Sequence, residues 1–246
     1  MKQGINEQSA LAKYPIGLRL AIDERVFRYC KADPTYGIEK AYYGAQDLNV
    51  YKADGSEDCW DGTVSGAHAV GSRTIFTLDT NTRHVADWFA GGWVWLYDTD
   101  WIPRWYRIKS STAGGTNVTL TLWEPLVSAI ADGMSLTVYR SIYGRVQRRL
   151  ASGSYTAATV CVAPIRVTAS YYFWGQTWGP CVGVPNIEVP GVNSNERRLV
   201  FNFDGSLRLP EASAATKYRQ FAGFNLLNPI DVQTDAWFPY MLQLSP

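Results

Sequence analysis

The chain has 246 residues, 46 % of them apolar, and 23 Lys and Arg against 22 Asp and Glu. That is apolar material enough for one large β domain or two small ones, with no net field of the kind that draws proteins onto nucleic acid or anionic membrane. Ten Trp, fifteen Tyr and nine Phe stand against two His, a ratio suited to burial and interfaces and poorly suited to proton chemistry.

Residues Met1 to Lys13 are polar and weakly patterned, and they lead into Tyr14-Pro15, where the proline biases its predecessor towards an extended conformation. Residues 1–16 therefore read as an extended N-terminal arm, either frayed or laid across a neighbouring subunit. The N-terminus has no apolar signal core and the chain no run of roughly 18 apolar residues, so the expectation is a protein that folds in the cytoplasm that makes it, with no membrane partner. Residues 17–246 read as one β-rich body, its best candidate for a break near 143–154, where Arg145, Arg148 and Arg149 interrupt the strands.

Within the body, Leu18, Leu20 and Ile22 alternate as a strand. From Lys31 to Gly66, Pro, Gly and Asp recur between short apolar pieces, which predicts loops, with one brief helix or turn at Ala41 to Leu48. After Val70 strand signals become regular: Thr74 to Leu78, Trp93 to Tyr97, Trp105 to Lys109, Val118 to Trp123, Ser135 to Arg140, Thr159 to Ala169, Tyr171 to Gln176, Leu199 to Phe203, Leu207 to Leu209, Phe221 to Leu226 and Tyr240 to Leu244. The fold class that follows is all-β, an antiparallel sandwich or barrel-like body with long loops.

Two hairpins can be argued residue by residue. Tyr106 and Ile108 face one way and Arg107 and Lys109 the other, and across a Gly114-Gly115 turn Val118, Leu120 and Leu122 alternate with Thr119 and Thr121. Around Asp204-Gly205, a two-residue turn would set apolar against polar, whereas a three-residue loop pairs Phe203 with Leu207 and Phe201 with Leu209. The second register is the expected one. Trp93 to Tyr97 is apolar on both faces, so its own domain covers both sides or a partner covers one. Tyr171 to Cys181 reads as an aromatic strand running into a Gly-Pro corner.

A search for chemistry returns little. His68 and His84 lie at no ligand spacing, the four cysteines (Cys30, Cys59, Cys161, Cys181) are scattered and read as buried free thiols, and no nucleophile elbow or phosphate loop is present. The acidic loop Asp54, Glu57, Asp58 and Asp61 lacks the glycine that a calcium loop needs, and Asp98 and Asp100 flank a turn where Asp is favoured anyway. No catalytic, metal or cofactor residue is assigned, and the expectation is a non-enzymatic protein.

Two stretches carry a family resemblance. Gly17-Leu18-Arg19 leading to Asp23-Glu24-Arg25-Val26-Phe27-Arg28-Tyr29-Cys30-Lys31-Ala32, and Phe173-Trp174-Gly175-Gln176-Thr177-Trp178-Gly179-Pro180-Cys181, resemble the capsid decoration or cement proteins that tailed bacteriophages encode beside their major capsid protein. Leu120-Thr121-Leu122 before Glu124-Pro125-Leu126, and Phe221-Ala222-Gly223-Phe224 before a closing strand, sit in the same order. The chain departs from the pattern at Trp178, where a histidine is expected, and in longer insertions at 81–104 and 191–196. The resemblance implies an all-β virion protein on the outer capsid surface, a homotrimer that ties neighbouring major capsid protein subunits together. Its candidate capsid or subunit contacts are Tyr14 and Pro15 of the arm, the tryptophans Trp88, Trp93, Trp95, Trp101 and Trp105, and the basic cluster Arg145, Arg148 and Arg149. The alternative is a carbohydrate-binding, adhesin-like virion protein of fibre, tail or baseplate, which requires an open aromatic face. A hydrolase would require two converging carboxylates.

Overall fold

The computed structural model describes residues 2–35, 37–38, 44–46, 59–79, 84–97, 104–115, 117–147, 158–185, 196–202, 205–210, 220–226 and 238–246. Among these residues the chain is all β, without a helix, and every pair of neighbouring strands is antiparallel. In chain order the strands are β1 Arg19–Ile22, β2 Arg25–Lys31, β3 Gly44–Gln46, β4 Cys59–Thr63, β5 Thr74–Leu78, β6 Trp93–Leu96, β7 Arg104–Ser111, β8 Asn117–Leu122, β9 Ser135–Tyr139, β10 Val146–Gln147, β11 Thr159–Cys161, β12 Tyr172–Gly183, β13 Arg198–Phe201, β14 Leu207–Arg208, β15 Phe221–Asn225 and β16 Phe238–Gln243. They form two compact units, Met1–Asp47 with Arg145–Pro246 (unit 1) and Leu48–Gly144 (unit 2).

Unit 1 is built on a seven-stranded sheet in the order β1-β2-β12-β16-β15-β13-β14, with a smaller sheet β10-β3-β11. Its spine is β12, whose first half pairs with β2 and whose second half pairs with β16. The Gly-Pro corner expected there does not form: β12 runs on through Gly179 and Pro180 to Gly183. Past Trp178 the strand has a described partner only in β16, and proline is tolerated where one side of a strand goes unpaired. A bulge between Gln176 and Trp178 leaves Thr177 as the extra residue, and its hydroxyl donates to Ser245 O at 2.6 Å, tying down the C-terminus. Within the unit the buried Asp33 carboxylate is paired with the partly buried Arg145. The helix or turn expected at 41–48 is a strand at Gly44–Gln46, held between β10 and β11.

The segment read as an extended arm instead lies on its own sheet. Ser9 and Tyr172 exchange backbone hydrogen bonds at 2.9 and 2.8 Å. Gln3 is buried, accepts from the Tyr29 hydroxyl at 2.6 Å through Oε1 and from Trp174 Nε1 at 3.1 Å through its carbonyl, and donates to Tyr172 O at 2.9 Å. The Tyr14 ring packs 5.3 Å from Tyr29 and 5.2 Å from Trp174. The physical reason is Trp174: β12 presents a fully buried indole whose N–H needs an acceptor, and the N-terminal backbone supplies it. Burial raises the Tyr29 phenol above its ordinary range, which keeps the hydroxyl a donor.

The β13–β14 register also differs from expectation. Phe201 faces Leu207 and Val200 faces Arg208, and the loop closes through Asn202 N–H to Ser206 O at 2.8 Å. This is a shift of two residues from the expected pairing, and an even shift preserves which side chains share a face, so apolar patterning cannot distinguish the two.

Unit 2 is a six-stranded sheet, β4-β9-β6-β7-β8-β5, that curls until its edges meet. Val64 bridges Thr77, and Ser65 N–H donates to Phe76 O at 2.8 Å. The interior is filled by one side of every strand, including Ile75, Val94, Leu96, Ile108, Val118, Leu120, Leu136 and Val138. The β7–β8 hairpin forms with Ile108 opposite Leu122, both inside. Buried His68 accepts the Phe76 N–H at Nε2, 3.1 Å away, which requires the neutral ring, and burial lowers its pKa. The folded state thus resists a proton that the unfolded chain takes up below about pH 6.5. The thermal midpoint of unit 2 is expected to fall as pH drops from about 7.5 to about 5.5, and a scan of His68→Asn should show a flatter slope over that window.

Candidate interaction surface

The tryptophans gather on the outer side of unit 2. Since Val94 and Leu96 fill the core, Trp93 and Trp95 project outwards from β6. Register sets Trp95 opposite Trp105 of β7, and Trp93 opposite both Arg107 of β7 and Tyr139 of β9, and opposed residues share a face. The outcome is a ladder of rings. Tyr97 stacks on Trp95 with centroids 4.5 Å apart and planes 28° apart, Trp95 on Trp105 at 4.7 Å and 19°, and Trp105 beside Tyr139 at 6.2 Å and 29°. Trp93 and Trp105 remain 45 % and 50 % exposed.

Polar groups frame the ladder. The Tyr97 and Thr137 hydroxyls lie 3.0 Å apart, and Thr137 donates to Asp61 Oδ1 at 2.5 Å, which spends the only carboxylate placed by register on this face of β4 and β9. The Lys109 ammonium sits 5.5 Å over the half-exposed Trp123 ring. Among the described residues no group of three or more His, Cys, Asp or Glu could hold a metal ion.

The stacking geometry decides what this face can grip. Trp95 stacks against both Tyr97 and Trp105, and Trp105 also neighbours Tyr139, while Trp105 and Trp93 each keep about half of their surface exposed. A sugar ring stacks on an open aromatic face, so Trp95, stacked against two rings, is a poorer pyranose platform than the half-exposed Trp93 and Trp105. Together the rings form an exposed aromatic patch, made of residue types that are enriched at binding surfaces.

The other residues named from sequence lie elsewhere. Trp88 is half-buried under its own unit, with His84 stacked at 5.7 Å and the Arg140 guanidinium 4.0 Å from the ring. The Asp79 carboxylate lies 2.6 Å from His84 Nδ1, both side chains buried, so Asp79 holds the imidazole that stacks on Trp88. Tyr14 is spent on Tyr29 and Trp174, Pro15 is exposed, and Arg145 is paired with Asp33. Trp101, Arg148 and Arg149, with Asp54, Glu57, Asp58, Asp98 and Asp100, lie outside the described residues.

Unit 1 carries a second apolar surface that no reading of the sequence singled out. Register lines up Pro180, Met241 and Phe224 across three strands, and Val182 with Pro239 beside them. Val182, Phe221, Phe224 and Leu226 are 38 to 43 % exposed, on the side of the sheet opposite the core residues Tyr240, Leu242 and Ala222. The signal was present as alternation at Phe224 and Leu226, but the bulge that turns Phe221 to the same side is not visible in sequence.

Comparison with protein-family models, with curated proteins and with solved structures found no match.

Proposed function

We propose that the chain is a non-enzymatic virion structural protein, a capsid decoration or cement protein that binds the outer surface of a tailed-phage head and ties neighbouring major capsid protein subunits together. One observation carries this reading: each of the two units leaves a broad apolar face uncovered on the outside of a fully packed sheet, the ring ladder on unit 2 and the Val182, Phe224 and Leu226 face on unit 1. Isolated exposed apolar residues need no explanation, but contiguous ones mark contact surfaces, and a tie between neighbours needs two of them. Repetition over a lattice then converts modest single contacts into avidity. Of the stretches that carry the family resemblance, 17–32, 173–181 and 221–224 belong to unit 1 and 120–126 to unit 2, so the resemblance draws on both units.

The adhesin alternative requires an open ring, which the half-exposed Trp93 and Trp105 offer and which Trp95, stacked against Tyr97 and Trp105, offers less. The deciding experiment is co-sedimentation of the purified protein with undecorated phage heads, with a glycan array run alongside. Trp95→Ala combined with Trp105→Ala is expected to lower head occupancy roughly tenfold or more, the size of a hot-spot loss, while unit 2 stays folded. Saturating attachment by that variant, or glycan binding that it abolishes, would overturn the reading.

A further inference from the structure

Two of the four cysteines meet inside unit 1. Cys30 of β2 lies opposite Phe173 of β12, and Cys161 closes β11, yet their sulfurs stand 3.9 Å apart, both fully buried. The space they share is made by Gly175. A Cβ at that position would fall 2.5 Å from Cys161 Sγ and 3.1 Å from Cys30 Sγ, so any side chain there would drive the sulfurs out. This accounts for a glycine in the middle of an otherwise aromatic strand. Cys181, by contrast, is only partly buried, beside Tyr240, and has its thiol pushed up to about 11, and Cys59 belongs to unit 2.

We infer that Cys30 and Cys161 form a disulfide when the protein meets an oxidant, locking β2 to β11. The remaining approach, from 3.9 Å to the roughly 2.05 Å of a sulfur–sulfur bond, is a movement of two side chains in the space that Gly175 leaves open. The partners are 131 positions apart in sequence, and the ring of chain they close contains the whole of Leu48–Gly144. Closing so long a loop removes much freedom from the unfolded chain and leaves the native strands where they are. Hydrogen peroxide is a sufficient and small enough oxidant. One sulfur attacks a peroxide oxygen, giving a sulfenic acid and water; the other sulfur displaces that hydroxyl as a second water, so two thiols and one peroxide become one disulfide and two waters. Burial and the neighbouring sulfur hold the Cys30 thiol well above its usual range, so reduced protein reacts slowly while fully folded.

The test uses the full chain. Folded protein is treated with hydrogen peroxide, quenched with catalase, unfolded in iodoacetamide and analysed as intact mass and as a peptide map. The expected product is lighter by about 2 Da before alkylation, and its map contains a Cys30–Cys161 cross-linked peptide that dithiothreitol separates. Its thermal midpoint should rise by roughly 5–10 °C, a gain reversed by dithiothreitol and missing in Cys161→Ser. Alkylation of both Cys30 and Cys161 after treatment would overturn the inference, as would their conversion to sulfinic or sulfonic acids, or cross-links that run to Cys59, Cys181 or another molecule. The wild-type peptide map decides even where the serine variant does not fold.

Discussion

Gly223→Ala is expected to unfold unit 1. Gly223 lies in β15 opposite Leu242 of β16 with φ at 143°, and an added Cβ would fall 1.7 Å from Met241 O and 2.8 Å from Met241 C. Both obstacles are backbone, in the middle of the sheet, so relief requires β15 and β16 to separate where Phe224 pairs with Met241. The cost exceeds roughly 4 kcal/mol, in the range reserved for gross strain, and predicts a fall in midpoint of more than about 10 °C or insoluble expression. Gly66→Ala separates strain from collision. Gly66 also has a positive φ, +79°, but nothing lies within 4 Å of its would-be Cβ, so its substitution should cost about 1 kcal/mol. Equal effects of the two substitutions in thermal unfolding would refute the argument.

That contrast also marks where sequence reasoning reaches and where it stops. Alternation located Thr74–Leu78 to the residue and found β6, β8, β9, β15 and β16 to within a few positions, because a strand with one side in a core writes its period into the chain. Cys59–Thr63 escaped because Asp61 and Thr63 at its outward positions, with Gly62 opposite the core residue Leu136, look like loop, and Thr159 to Ala169 was overextended because three buried residues, Thr159 to Cys161, continue into an apolar turn. The ladder was half legible. Trp93 and Trp95 announce an outward row once Val94 and Leu96 are assigned inward, but the rungs Trp105 and Tyr139 come from other strands, and only cross-strand register brings them together. Nothing local marks Gly175 as the space for two sulfurs either, since Cys161 arrives from a strand outside the seven-stranded sheet.

The N-terminal segment is where the physical reading of the structure changes an expectation most. An arm reaching for a neighbour could be removed without harm to the body. Deleting residues 2–13 from this fold instead strips Trp174 of the acceptor for its indole N–H, Tyr29 of Gln3 and of the Lys13 N–H at 3.0 Å, and Tyr172 of its backbone exchange with Ser9. It also uncovers the cluster of Phe27, Tyr29 and Trp174, against which Ile5 packs. Buried polar groups left without partners cost about 1–3 kcal/mol each, and exposed aromatic area adds to that, so the deletion should cost on the order of 5 kcal/mol. Gln3→Ala should cost about 1–3 kcal/mol, since it removes only the side-chain bonds and leaves the carbonyl that receives Trp174. Thermal unfolding, with Trp fluorescence reporting the water now reaching Trp174, measures both. A truncated chain with an unchanged midpoint would return the segment to the role of a free arm, whereas a graded loss, small for Gln3→Ala and large for the deletion, makes it the last strip of unit 1's core.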